Sequence, residues 1–194
     1  MFVMLRCRQR GMSLIELMIA IVIIALLVVL GAPSYSTWMT NSRVRNAGES
    51  IQNALRLARD QAVQRGTNAR FELTSASGGA DWTVCIPVRA TPTTCASTPE
   101  VVQNFNGAGG ATLVKVGTST NLTYSTDVSG TVSTGSGITF NALGRPTGAP
   151  PVQRIDASAS RSGARRLITV ISPGGVVRMC DPALSLSTSP QGCS

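Results

Sequence analysis

The sequence predicts an α+β chain: a long N-terminal α-helix, its first half embedded in a membrane, packed on a C-terminal antiparallel β-sheet domain. Three observations predict it. Leu17 to Leu30 is an apolar run with no polar residue. From Val44 to Ala62, apolar residues recur at three- and four-residue steps, the period of an amphipathic helix. Beyond Ala69 the pattern changes to short runs rich in β-branched residues, punctuated by Gly, Ser, Pro and Asn.

The elements follow in order. Residues 1–11 carry Arg6, Arg8 and Arg10 and end in Gly11. Met12-Ser13-Leu14-Ile15-Glu16-Leu17 leads into the apolar run. From Met12 to Ala32 there are 21 residues and one charge. At 1.5 Å per residue this covers about 30 Å, one hydrocarbon thickness. The basic residues before it should stay cytoplasmic, which sends the C-terminal part to the other side. A secretory signal has the same polarity, but Gly31-Ala32-Pro33 follows the run in place of a small-residue cleavage site. Pro33 removes one backbone hydrogen bond and should kink the helix just outside the bilayer. The helix resumes over residues 33–66. Val44, Ala47, Ile51, Ala54, Leu55, Ala58 and Ala62 form one face, Arg43, Arg45, Glu49, Arg56, Asp60 and Gln64 the other, and Gly66 is the expected cap.

Residues 67–194 should form the β-rich domain. Seven stretches read as strands: Phe71–Thr74, Trp82–Ile86, Val101–Phe105, Leu113–Val116, Ile138–Phe140, Arg166–Ile171 and Val176–Met179. They predict two small antiparallel sheets against the helix. Residues 107–137 are mostly small or polar and read as a loose connection or weak hairpin.

Composition narrows the function. The chain has 194 residues and a net charge of +8, which falls to +5 without residues 1–11. That excess suits weak attraction to nucleic acid or anionic lipid, and equally an ordinary solvated surface. There is no His, so Ser-His-Asp and Cys-His catalysis and His-ligated metal sites are excluded. Carboxylates outside the helix form no recognisable catalytic pair, and no enzyme activity or cofactor is expected. Cys7 lies in the basic leader. Cys85, Cys95, Cys180 and Cys193 form an even set in the exported part and suggest disulfides in an oxidising compartment. Three pairings are open. Cys85–Cys95 with Cys180–Cys193 is preferred because each closes a short loop. A four-Cys zinc site is the alternative, and the paired C-x-x-C spacing it favours is absent.

Glu16 is the sharpest signal. An unpaired carboxylate in hydrocarbon costs roughly 2.5–3.5 kcal/mol, while each following aliphatic residue returns about 0.3–0.6 kcal/mol. Insertion wins, but the carboxylate calls for a partner.

The Gly11-Met12-Ser13-Leu14-Ile15-Glu16-Leu17 segment, with its basic leader and distal Pro33, resembles the class III signal sequence of type IV pilins and type II secretion pseudopilins. The resemblance implies a pilin-like fold. It also implies cleavage by a prepilin peptidase between Gly11 and Met12, and N-methylation of Met12. Glu16 would pair with the N-terminal amine of a neighbouring subunit.

Three further stretches are similar to the GspH/FimT branch of minor pilins and pseudopilins: Leu55–Val63, Phe140-Asn141-Ala142-Leu143-Gly144-Arg145-Pro146 and Gly175-Val176-Val177-Arg178-Met179-Cys180-Asp181-Pro182. Cys-Asp-Pro and the final Cys193 favour its FimT/FimU-like members. The resemblance implies a minor pilin that helps initiate or cap a type IV pilus, or else a type II secretion pseudopilin H. Its implied partners are other minor pilins, a major pilin or pseudopilins, and the inner membrane. The domain would face the periplasm before filament entry.

Some FimT-like members bind DNA through a C-terminal Gly-Arg-x-Arg. Here the stretch reads Gly175-Val176-Val177-Arg178, so one of two cations is missing. A DNA receptor at a pilus tip is therefore the third reading, with Arg178, Arg145, Arg161, Arg165 and Arg166, joined by Arg154, as candidate phosphate contacts.

Overall fold

The structure is a computed structural model describing residues 12–75, 78–87, 94–95, 100–107, 114–131, 136–148, 151–160 and 163–194. The chain divides into two compact units, Met1–Trp38 and Met39–Ser194. One helix, α1 (Leu14–Arg65), contributes to both.

In the first unit, α1 starts with Leu17 N–H donating to Ser13 C=O at 3.1 Å. Its segment Leu14–Gly31 is long and apolar enough to cross a membrane, and none of it is buried within the chain. The helix assignment continues through Pro33.

In the second unit, nine strands follow among the described residues: β1 (Ala69–Leu73), β2 (Trp82–Ile86), β3 (Glu100–Phe105), β4 (Val114–Ser119), β5 (Gly137–Phe140), β6 (Pro146–Thr147), β7 (Arg154–Ala159), β8 (Leu167–Ile171) and β9 (Val177–Cys180). They build two antiparallel sheets, ordered β3-β2-β1-β5-β6 and β4-β7-β8-β9. The seven expected strands are present with ends moved by up to three residues; β6 and β7 are additions.

The expected apolar face of the helix is buried. Val44, Ile51, Leu55, Ala58 and Ala62 pack with Phe71, Val84, Ile138 and Phe140 of one sheet and Val116, Ile155 and Ile171 of the other, in a single core. Small Ala side chains allow this close approach. After Arg65 the chain turns at Gly66, where Thr67 N–H donates to Ala62 C=O at 3.2 Å.

Disulfides join Cys85 to Cys95 and Cys180 to Cys193. The latter closes a sequence separation of 13, which by loop entropy contributes about 3 kcal/mol. It sits in a small second cluster with Ile168, against Tyr124 and Val170. The first is fastened to β1. Glu72 accepts from Cys95 N–H at 2.6 Å and from Arg70 Nε at 2.9 Å, while Arg70 Nη1 donates to Thr139 Oγ1 at 3.2 Å.

The reading of residues 107–137 as a loose connection is corrected. β4 runs through it, and the loop after β4 is tied down by arginines. Arg154 donates to the carbonyls of Thr123 and Thr126, and Arg166 to that of Tyr124.

Candidate functional site

Glu16 is exposed in the first turn of α1. The positive end of the helix dipole favours a carboxylate there by about 0.3–1 kcal/mol. That is well short of the roughly 2.5–3.5 kcal/mol that burial in hydrocarbon costs. No hydrogen bond or ion pair satisfies Glu16 among the described residues. Gly11 and the basic leader lie outside the described residues.

The described candidate DNA-binding arginines differ in exposure and pairing. Arg154 is 1% exposed and its Nε stands 2.9 Å from Asp156 Oδ1, with Asp156 0% exposed. The contact is charge attraction rather than an aligned bond, since neither atom has a hydrogen-bond partner among the described residues. Arg166 is 16% exposed, 3.6 Å from Asp156 Oδ2 and 4.0 Å from Asp127. Burial pushes the Asp156 carboxyl up from its ordinary value, against the Val128 N–H, Arg154 and Arg166, with Asp127 adding to the rise. Arg165 is paired with Asp181 at 2.7 Å. Arg145 and Arg178 remain exposed, the latter reaching the Cys193 carbonyl at 3.5 Å. Arg161 lies outside the described residues.

The three stretches that carry the family resemblance meet at one joint. Asn141 Oδ1 accepts from the N–H groups of Leu143 and Arg145, both at 3.0 Å, which shapes the turn between β5 and β6. Arg59 of α1 donates Nε–H to the Gly144 carbonyl of that turn at 3.3 Å. Gly175, in the turn between β8 and β9, backs onto the same oxygen: a Cβ there would lie 1.9 Å from it and 3.2 Å from Arg59 Nε. One arginine thus links the helix and the connections of both sheets. Spacing alone does not reveal this, because the partners are 85 residues apart; the shared occurrence of Arg59, Gly144 and Gly175 in the three stretches was the available signal.

Among the described residues, no group of three Cys, His, Asp or Glu side chains is placed to hold a metal ion. The four cysteines of the alternative zinc site are joined in disulfides.

The family model described as Type II transport protein GspH matches residues 47–175, and the prokaryotic N-terminal methylation motif matches residues 6–32. Type II secretion system protein H of Xanthomonas campestris pv. campestris is 41% identical over 66 residues, 34% of this chain and 39% of that protein. The match therefore spans less than half the length of that relative. Among solved structures, the type IV minor pilin FimU of Pseudomonas aeruginosa is similar at 17% identity and a TM-score of 0.47, covering 81% of this chain and 99% of that one. A second crystal form of FimU gives 20% identity, a TM-score of 0.43, and coverage of 77% and 99%.

Proposed function

The chain belongs to the GspH family of type II transport proteins and carries the prokaryotic N-terminal methylation motif, the two marks of a minor pilin or pseudopilin, and on that premise we propose a specific working cycle. A prepilin peptidase cuts after Gly11 and methylates Met12. The processed chain waits in the inner membrane as a single span, with its disulfide-closed domain in the periplasm, and bends at Pro33 beyond the bilayer. It then enters a type IV pilus as a minor subunit, helping to initiate or cap the filament. The observation that supports this most strongly is Glu16: a carboxylate at the head of an exposed apolar helix, with no partner in its own chain among the described residues. The N-terminal amine of a neighbouring subunit meets that need.

Glu16→Ala should leave membrane insertion intact, because it removes an unfavourable charge, yet reduce recovery in sheared filaments by about tenfold or more, as expected for losing roughly 1.4 kcal/mol or more of pairing. Membrane fractionation and immunoblotting of filaments measure the two quantities separately. Normal incorporation of the variant would remove the pairing role.

A second reading, a pseudopilin of type II secretion, is favoured by the match to the GspH model. Deletion of the gene separates them: loss of surface pili supports the first, retained secreted enzymes in the periplasm the second. A DNA receptor is the weakest reading, because Arg154 and Arg166 are engaged inside the domain and Arg165 is paired.

A further inference from the structure

We propose that Tyr35 and Trp38 form an aromatic anchor that sits in the headgroup layer of the membrane and sets the depth of the helix before filament entry. The chain has only two Trp and two Tyr. Trp82 is buried in the core and Tyr124 packs beside the C-terminal disulfide. The other Tyr and Trp stand three residues apart on α1, so they share a face, with ring centroids 6.0 Å apart. Both face outward, 64% and 62% exposed. Large aromatic rings so exposed on a chain so poor in them need a partner.

The position identifies that partner. A hydrocarbon core of about 30 Å accommodates about 20 helical residues. Counted from Met12 as above, it ends at Ala32, and Pro33 is the first residue beyond it. Measured along the helix, the Cα atoms of Tyr35 and Trp38 then stand about 4.5 and 9 Å further out. The headgroup layer on each side is about 5–7.5 Å thick, and helical side chains lean back toward the N-terminus, so the Tyr35 ring falls within it and the Trp38 ring at its outer edge. Tyr and Trp favour this layer because each has an apolar ring for the acyl boundary and a polar N–H or O–H for water. Four of the five residues between and around them, Ser34, Ser36, Thr37 and Thr40, are polar, unlike anything in the preceding run from Leu17 to Leu30; the fifth is Met39. With Glu16 at one end and the aromatic pair at the other, the span is held in register from both sides, which presents Glu16 at a fixed depth to an arriving subunit.

The inference rests on the membrane anchoring proposed above, and the test separates the two. Full-length processed protein is reconstituted in vesicles of phosphatidylcholine and phosphatidylglycerol and recovered by flotation. Trp fluorescence is then measured with lipid brominated near the carbonyl end or near the methyl end of its chains. Subtracting the Trp38→Phe variant isolates Trp38 from Trp82. Bromine near the carbonyl end should quench Trp38 at least about twofold more than bromine near the methyl end. The Tyr35→Trp variant in the Trp38→Phe background should report the same preference. Floating protein in which neither reporter is quenched, or in which the chain-end bromine quenches more, overturns the anchor: the pair then faces water, protein or the bilayer centre. Protein that does not float overturns the membrane anchoring itself, and the aromatic anchor with it.

Discussion

Replacing Arg154 by Leu should destabilise the β-domain by about 3–5 kcal/mol at neutral pH, the cost of leaving a buried charge without its partner. Among the described residues Arg154 is the largest fully buried side chain, and it does three things at once. It stands 2.9 Å from Asp156, and its two Nη groups hold the carbonyls of Thr123 and Thr126. Removing it leaves Asp156 with only Arg166 at 3.6 Å and the Val128 N–H, beside a loop that has lost two of its fastenings. The loss should depend on pH with a definite sign. Burial already raises the Asp156 carboxyl above the ordinary 3.8, so the folded chain binds that proton more tightly than the unfolded chain. The contribution of this group is complete below its ordinary value and is lost as pH rises through its folded value. Taking away Arg154 removes one of the influences that lower that value and widens the window upward. The variant should therefore recover part of its stability on mild acidification, where Asp156 is neutral. Urea unfolding of the full chain in detergent, at neutral and mildly acid pH, measures both quantities. The double variant Arg154→Leu with Asp156→Leu should regain much of the loss, because the buried, under-compensated charge is gone. A single variant that loses more stability in acid than at neutral pH would contradict the assignment.

Gly175→Ala should cost about 3 kcal/mol or more, from two sources. Gly175 has φ of 81°, where an L-residue pays about 1–2 kcal/mol of strain. The added Cβ would also lie 1.9 Å from the Gly144 carbonyl, a backbone atom with no rotamer to move. The two turns must separate, and Arg59 loses its seat on that oxygen. Gly163→Ala is the matched control. Gly163 has φ of 79° with open space around it, so only the strain of about 1–2 kcal/mol should appear. The same urea titrations compare them. Equal losses for the two variants would mean that the joint between helix and turns carries no stability of its own.

The membrane-length helix and its amphipathic continuation were legible because their signals are long and periodic. Fourteen apolar residues from Leu17 to Leu30 admit few other meanings. The strand β7 was not legible, for a reason visible in its residues. Its inward positions, Ile155, Ala157 and Ala159, are mostly small, and the other face carries Arg154, Asp156 and Ser158. Alternation of that kind looks like a solvated loop until the loop from Thr123 to Ser129 is folded over it. The same blind spot made Arg154 and Arg166 look like surface cations for DNA; charge is countable in a sequence, but pairing across 30 or 40 residues is not. The short strand β6 escaped for want of length: two residues, Pro146 and Thr147, leave no period to read. Glu16 stands out in the sequence because an energetic anomaly, a carboxylate beside hydrocarbon, is local. The joint at Arg59 was half legible: its three stretches were singled out, but their meeting point depends on tertiary packing.

The intact mass of the protein taken from its native membrane tests the filament-subunit reading most directly. A chain that begins at Met12 and carries one additional methyl group is the predicted result. A chain that retains residues 1–11, or that is cut beyond Ala32, would contradict it and leave an ordinary membrane anchor or secretory signal in its place.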